Sequence, residues 1–156
     1  MSQGESVQIE RTLSQDFDAL VVSAVPVVAH VGRPHEGILL RGEERVLAMI
    51  RTSVEGGALI VGPKQDASFS TDVPIEVEFA LPALTRVSAS AGARVRVEGM
   101  SGDQLHLEAA SGARVAVSGT VRAVAALAQS GGTVDLSRLS SRNVSSRSSS
   151  GGRIQS

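Results

Sequence analysis

Four copies of one glycine phrase near the C-terminus constrain this chain more than any other feature. They read Ala91-Gly92-Ala93-Arg94-Val95, Ser111-Gly112-Ala113-Arg114-Val115, Ser130-Gly131-Gly132-Thr133-Val134 and Ser150-Gly151-Gly152-Arg153-Ile154. Their first glycines stand 20, 19 and 20 residues apart. A fixed period with a glycine corner marks stacked units, none of which buries its own apolar face. Residues two apart on a strand share a face. Seven, five and three positions before each glycine stand mostly apolar or small residues, such as Leu105, Leu107 and Ala109. Three and five positions after it stand Val95 and Val97, Val115 and Val117, Val134 and Leu136. These columns are expected to face inward. Arg94, Arg114, Thr133 and Arg153 fall in one intervening column and are expected to face out.

A unit of this length is too short for a strand, a helix and two turns, so strands joined by bends are expected. The sequence predicts an all-β fold: a single-stranded right-handed parallel β-helix, or solenoid, with coils of about 20 residues and a less regular N-terminal β part. Its corners are Gly92, Gly112, Gly131 and Gly151, which reach positive φ without a Cβ clash. Strain and crowding are both expected to exclude larger residues at Gly92 and Gly112. The alternative is a run of antiparallel hairpins; the absence of Asn-Gly and Asp-Gly counts against it. Residues 1–10 read as a flexible N-terminal segment. Residues 11–156 read as one β-solenoid domain, with regular repeats over about 84–156. Within it, 17–31 is rich in β-branched residues, Val73 to Leu81 alternates strictly, and Glu43–Ile50 hints at two helical turns.

Several functional classes lack support. Tyr and Trp are absent and only three Phe are present, so the core is built from Val, Leu, Ile and Ala. The same lack of aromatic stacking platforms argues against a nucleic-acid partner. No apolar run is long enough to predict a membrane span. Gly57-Ala-Leu-Ile-Val-Gly62-Pro63-Lys64 imitates a phosphate loop, but Pro63 precedes the Lys and no Ser or Thr follows. His30, His35 and His106 are not spaced with carboxylates as zinc ligands are. No Gly-x-Ser-x-Gly elbow occurs. Glu98, Asp103, Glu108 and Asp135 fall at different offsets from their glycines, so no converging acid pair is expected. Asn143-Val-Ser145 matches a glycosylation sequon by pattern, with chance the simpler explanation. No catalytic residue, cofactor or metal site is predicted.

Charge is uneven along the chain. Residues 1–80 carry 6 Lys/Arg against 12 Asp/Glu, whereas residues 81–156 carry 9 Arg against 4 Asp/Glu. Solubility and packing of opposite ends account for this most simply. The sharper reading is a polyanion-binding ladder of Arg94, Arg114 and Arg153, whose stacked guanidinium groups suit phosphate, sulfate or uronate. The tail, 137–156, holds nine Ser, yet Val144 and Ile154 keep the period, so it is read as a polar last layer.

The chain resembles the head GIN domains, a family of putative auto-transporter adhesins. The resemblance is carried by Arg11-Thr-Leu-Ser-Gln-Asp-Phe-Asp-Ala-Leu20, Val46-Leu-Ala-Met-Ile-Arg-Thr-Ser-Val54, Gly57-Ala-Leu-Ile60, Val77-Glu-Phe-Ala-Leu-Pro-Ala-Leu84 and the Ser/Ala-Gly-Ala/Gly phrases. Arg45 stands where the family pattern leads one to expect Asn. The resemblance implies a β-helical domain, exported to the periplasm or cell surface of a bacterium, with no established activity. The polar start, Met1-Ser-Gln-Gly-Glu-Ser, is not a signal peptide, so an exported form would have lost its leader; a cytoplasmic protein is the alternative. The expected function is a non-enzymatic structural or adhesion-type module of the cell envelope that binds an anionic surface polymer or protein along flat faces. A self-assembling scaffold, forming a weak homo-oligomer, is the alternative; a polysaccharide-active enzyme is third.

Overall fold

Strands form where apolar residues alternate with polar ones, and several end where a residue enters the left-handed region. The computed structural model describes residues 6–13, 15–34, 37–64 and 75–155. Its strands are β1 (Ser6–Arg11), β2 (Ala19–Ser23), β3 (Pro26–Val31), β4 (Ile38–Glu43), β5 (Ile50–Glu55), β6 (Ala58–Pro63), β7 (Glu76–Leu81), β8 (Arg86–Ser90), β9 (Arg94–Ala109), β10 (Arg114–Ala128), β11 (Thr133–Ser148) and β12 (Arg153–Gln155). One helical turn, α1 (Glu44–Leu47), follows β4. That is about half the helix expected from Glu43–Ile50. The 17–31 stretch is two strands, because Ala24 takes φ 63° and turns the chain between β2 and β3. The alternating segment begins at Glu76; Val73 and Pro74 lie outside the described residues. Residues 6–10 belong to β1 rather than to a flexible segment.

The expectation of a right-handed parallel β-helix is overturned. The described strands join in one curled half-barrel sheet of mixed orientation, in the order β1-β4-β7-β3-β9-β8-β2-β6-β5, with β10, β11 and β12 continuing from β9. β1 and β7 both pair antiparallel with β4, and β5 pairs antiparallel with β6. The remaining pairs are parallel. The physical reason lies in the first half of the chain, which the glycine phrase does not reach. Gly56 and Gly57, at φ 57° and 79°, close a two-residue hairpin between β5 and β6. The Gly-Gly dipeptide is therefore the hairpin signal here, in place of Asn-Gly or Asp-Gly.

The phrase does govern register in the second half. Val95, Val115, Val134 and Ile154 are successive neighbours across β9 to β12. Between two phrases the chain is one long strand of 15 or 16 residues rather than two short ones. These strands bend at irregularities: Gly99 has φ 72°, and the pairing shifts between Val117 and Gly119. β9 is the junction of the molecule. Its first part pairs with β3, its last part with β8, and nearly its whole length with β10.

The in/out alternation holds for most of the expected core. Leu105, Leu107, Val115, Val117, Val124 and Val134 are buried, while Arg94 and Arg114 are exposed. Leu20, Leu40, Leu59, Leu81 and Val97 belong to the same continuous core cluster, so both halves share one apolar interior. Phe17 meets Phe79 edge to face at 5.7 Å between ring centroids. Four described residues assigned inward do not go there: Thr85, Val144, Ser146 and Ser148 are all exposed. Thr85 is exposed ahead of β8, and Val144 is 54% exposed because β12 covers β11 only at 133–135.

Candidate functional site

Parallel pairing in register converts the repeated phrase into a column of like residues. Arg94 stands directly beside Arg114, Arg114 beside Thr133, and Thr133 beside Arg153. Neighbouring strands lie about 4.8 Å apart, so Arg94 and Arg114 are one spacing apart and Arg153 two further. The three guanidinium groups are exposed. Arg114 Nη2 lies 3.4 Å from Asp135 Oδ2. The Asp135 carboxyl is held below its ordinary range, first by the Ser137 hydroxyl and backbone N–H, which donate to it, and less by Arg114 and Arg138. Arg96, two residues along β9 from Arg94, faces the same way. Neither Arg94 nor Arg96 has an ion-pair partner among the described residues. Arg94 and Arg114 are thus direct neighbours, with Arg96 beside them, and Thr133 separates them from Arg153.

The corner glycines do what their φ requires. Gly92 and Gly112 both have φ 77°, and Gly131 and Gly151 lie at 79° and 82°. A Cβ at Gly92 or Gly112 would meet nothing within 4 Å, so strain acts there without the expected crowding. The residue before each glycine is also left-handed, at φ 50° to 55° for Ala91, Ser111, Ser130 and Ser150. The reward is a bond between corners. The N–H of Gly92 donates to Ser111 O at 3.1 Å, that of Gly112 to Ser130 O at 3.2 Å, and that of Gly131 to Ser150 O at 3.2 Å.

A second feature lies on the outward face of β8 to β11, beyond the bends. Along β10 the outward residues are small or apolar: Ala123, Ala125 and Leu127. Each has longer or polar neighbours on both sides. Ala123 lies between Gln104 and Asn143, Ala125 between His106 and Ser145, and Leu127 between Glu108 and Arg147. A short central strand between taller flanks makes a trough. It is shallow and open to solvent; its larger part, of about 500 Å³, is bordered by Arg142, and a part of about 290 Å³ reaches Arg86 and Arg147. The register sets these residues opposite one another, and the trough follows from the shortness of Ala123 and Ala125 rather than from any charged column.

Several other titratable groups pair with one another. His30 Nε2 meets Glu78 Oε2 at 2.7 Å, and Arg41 Nη1 lies 3.1 Å from both Glu76 Oε1 and Glu78 Oε1. The His30 hydrogen bond, aided by Arg41, holds the Glu78 carboxyl below its usual range against desolvation. This network stitches β4 to β7 and β3. Arg11 donates to Ile50 O at 2.6 Å and Leu47 O at 2.9 Å, tying β1 to the end of α1 and the start of β5. Asp103 pairs with Arg122, and Glu108 accepts from Gln129 at 3.3 Å. Among the described residues no group of three His, Asp or Glu is arranged to hold a metal. His35 lies outside them.

A family model described as "Putative auto-transporter adhesin, head GIN domain" matches residues 16–156. A putative adhesin from Bacteroides fragilis NCTC 9343 superposes with a TM-score of 0.79 at 15% identity, covering 94% of this chain and 77% of that one. A putative lipid binding protein from Parabacteroides distasonis ATCC 8503 gives 0.64 at 12% identity, over 98% and 74%. A putative adhesin from Parabacteroides merdae ATCC 43184 gives 0.62 at 14%, over 93% and 78%. At such identities the likeness is one of fold. No curated protein matches the chain. No helix among the described residues is long and apolar enough to cross a membrane.

Proposed function

This chain belongs to the head GIN domain family of putative auto-transporter adhesins, and from that premise we propose that it is a non-enzymatic binding module of the cell envelope. It is exported to the periplasm or the cell surface and engages an anionic surface polymer through Arg94, Arg114 and Arg153. The observation that carries this reading is the placement of Arg94 beside Arg114 on adjacent strands, exposed, with Arg96 next to them. Like charges held side by side at strand spacing repel. A ligand with sulfate or carboxylate groups at intervals relieves that repulsion and accepts charge-assisted hydrogen bonds.

Binding to immobilised sulfated polysaccharide, measured at increasing salt, tests this. The expected result is binding at low salt that weakens as salt rises, and a loss of about tenfold or more in Arg94→Gln/Arg114→Gln. Arg51→Gln is the control, because Arg51 lies on β5 in an exposed pair with Glu55. No binding at low salt, or equal loss in both variants, would overturn the reading.

One observation favours a second reading, a self-assembling scaffold. Residues 140–148 of β11 pair only with β10, which leaves an open strand edge beside exposed Val144 and basic Arg142 and Arg147. Open edges invite another strand, and the first half of the chain is acidic. Light scattering at low and high salt separates the readings. Salt-sensitive growth in size supports assembly, and a strict monomer removes it.

A further inference from the structure

We infer that the trough over β10 is a second, separate binding site, and that its ligand is an extended acidic saccharide, a chain of uronic acid residues. The proposal goes beyond the Arg94–Arg114 surface and does not need it, because the two lie on opposite sides of the bends in β9 and β10.

The inference is built from three cross-strand rows. Gln104, Ala123 and Asn143 form the first, His106, Ala125 and Ser145 the second, and Glu108, Leu127 and Arg147 the third. The methyls of Ala123 and Ala125 give a flat apolar floor, two residues or roughly 6.6 Å apart along the strand. The flanks supply side-chain amides, an imidazole and a hydroxyl, which both donate to and accept from hydroxyl groups. Such a floor with such walls suits a ring that is apolar on its face and hydroxylated at its rim. The trough is about 500 Å³ in its larger part, within the ordinary range of small-ligand sites.

Charge selects among saccharides. Arg142 borders the larger part, and Arg86 and Arg147 border the smaller. None of the three has an ion-pair partner among the described residues. The single carboxylate of the trough, Glu108, is occupied by the amide of Gln129. A carboxylated sugar therefore finds free guanidinium partners at both ends. Other ligand classes fit less well. The floor is the face of a sheet whose β9–β10–β11 backbone ladder is already made, so an extended peptide gains no main-chain pairing there. No Phe, Tyr or Trp lines the trough to stack nucleobases.

Titration of the full chain with a hexamer of galacturonic acid, followed by backbone amide NMR and calorimetry, tests the proposal. The expected shifts fall on residues 104–108, 123–127 and 142–147. Maltohexaose, neutral and of the same length, is expected to bind at least tenfold more weakly. Ala125→Trp fills the floor and should abolish the shifts. Arg142→Gln/Arg147→Gln, at exposed positions where folding is not at risk, should lower affinity about tenfold or more. Arg94→Gln/Arg114→Gln should leave these shifts in place, so failure of the ladder and failure of the trough are distinguishable. Shifts confined to the Arg94–Arg114 surface, equal binding of the neutral hexamer, or full affinity in Arg142→Gln/Arg147→Gln would overturn the proposal.

Discussion

A methyl group at Gly132 would land inside the Ala109 carbonyl, whereas one at Gly112 would meet open space. The two glycines belong to the same repeated phrase, but different physics holds them. Gly112 is needed for its φ of 77°; an L-residue there costs about 1–2 kcal/mol, partly offset by the lower chain entropy of Ala when unfolded. Gly132 is needed for close approach of backbone to backbone, which a small shift of side chains does not relieve. Gly112→Ala is therefore expected to cost about 1 kcal/mol, and Gly132→Ala about 3 kcal/mol. Urea midpoints of the two variants check this, and the reverse order would refute the packing at Gly132. The left-handed Ser130 offers the opposite case. Ser130→Gly relieves strain and is expected to be neutral or slightly stabilising, because the corner bond uses only its carbonyl.

At the scale of strands, the His30–Glu78–Arg41 network makes stability depend on pH. The folded-state pKa of Glu78 is depressed, so its contribution is fully present above the carboxylate's unfolded pKa and is lost as pH falls through the lower folded one. Arg41 is more than a third exposed, so the network is worth about 0.2–1 kcal/mol rather than more. Glu78→Gln should be less stable than the parent by that amount at pH 7. The gap should close as pH drops below about 4. Paired urea curves at the two pH values measure it, and a gap that does not narrow at all as pH falls would assign the loss to packing instead. The strands themselves were unequally legible in the sequence. Val95, Val115 and Val134 announced their burial and mutual register through the period. The alternation from Val77 to Leu81 announced β7. The antiparallel place of β4 between β1 and β7 was not legible, because it depends on pairing between residues far apart that no repeat aligns. Nor was the break at Ala24, where a residue with a Cβ takes the left-handed conformation that sequence reasoning reserves for glycine. The arginine column was legible for the same reason as the core column. The trough was not, because its signal is the shortness of Ala123 and Ala125 between longer neighbours rather than any reactive group.

For the whole molecule, the question is whether the mixed first half and the parallel second half are one cooperative unit. Phe17, Leu40 and Leu59 from the first half share a core cluster with Leu107, Val115 and Val134 from the second. β9 is paired on one side to both β3 and β8 and on the other to β10, so it cannot leave without unzipping both halves. β2 and β3, early in the chain, pair with β8 and β9 more than 60 residues later. Those long-range contacts make independent folding of the first half costly, since β2 and β3 would each lose one of their two partners. Unfolding in urea is therefore expected to be a single transition. Phe17 ring signals, Val134 methyl signals and far-UV circular dichroism should give coincident midpoints. Protection from hydrogen exchange should be graded within that unit. It is expected to be highest in β9 and β10, which are paired on both sides, and lowest over residues 142–148, whose strand is paired on one side only. Separate midpoints for Phe17 and Val134 would show that the shared core does not couple the halves, and strong protection at 142–148 would show that the open edge is covered in solution by another strand.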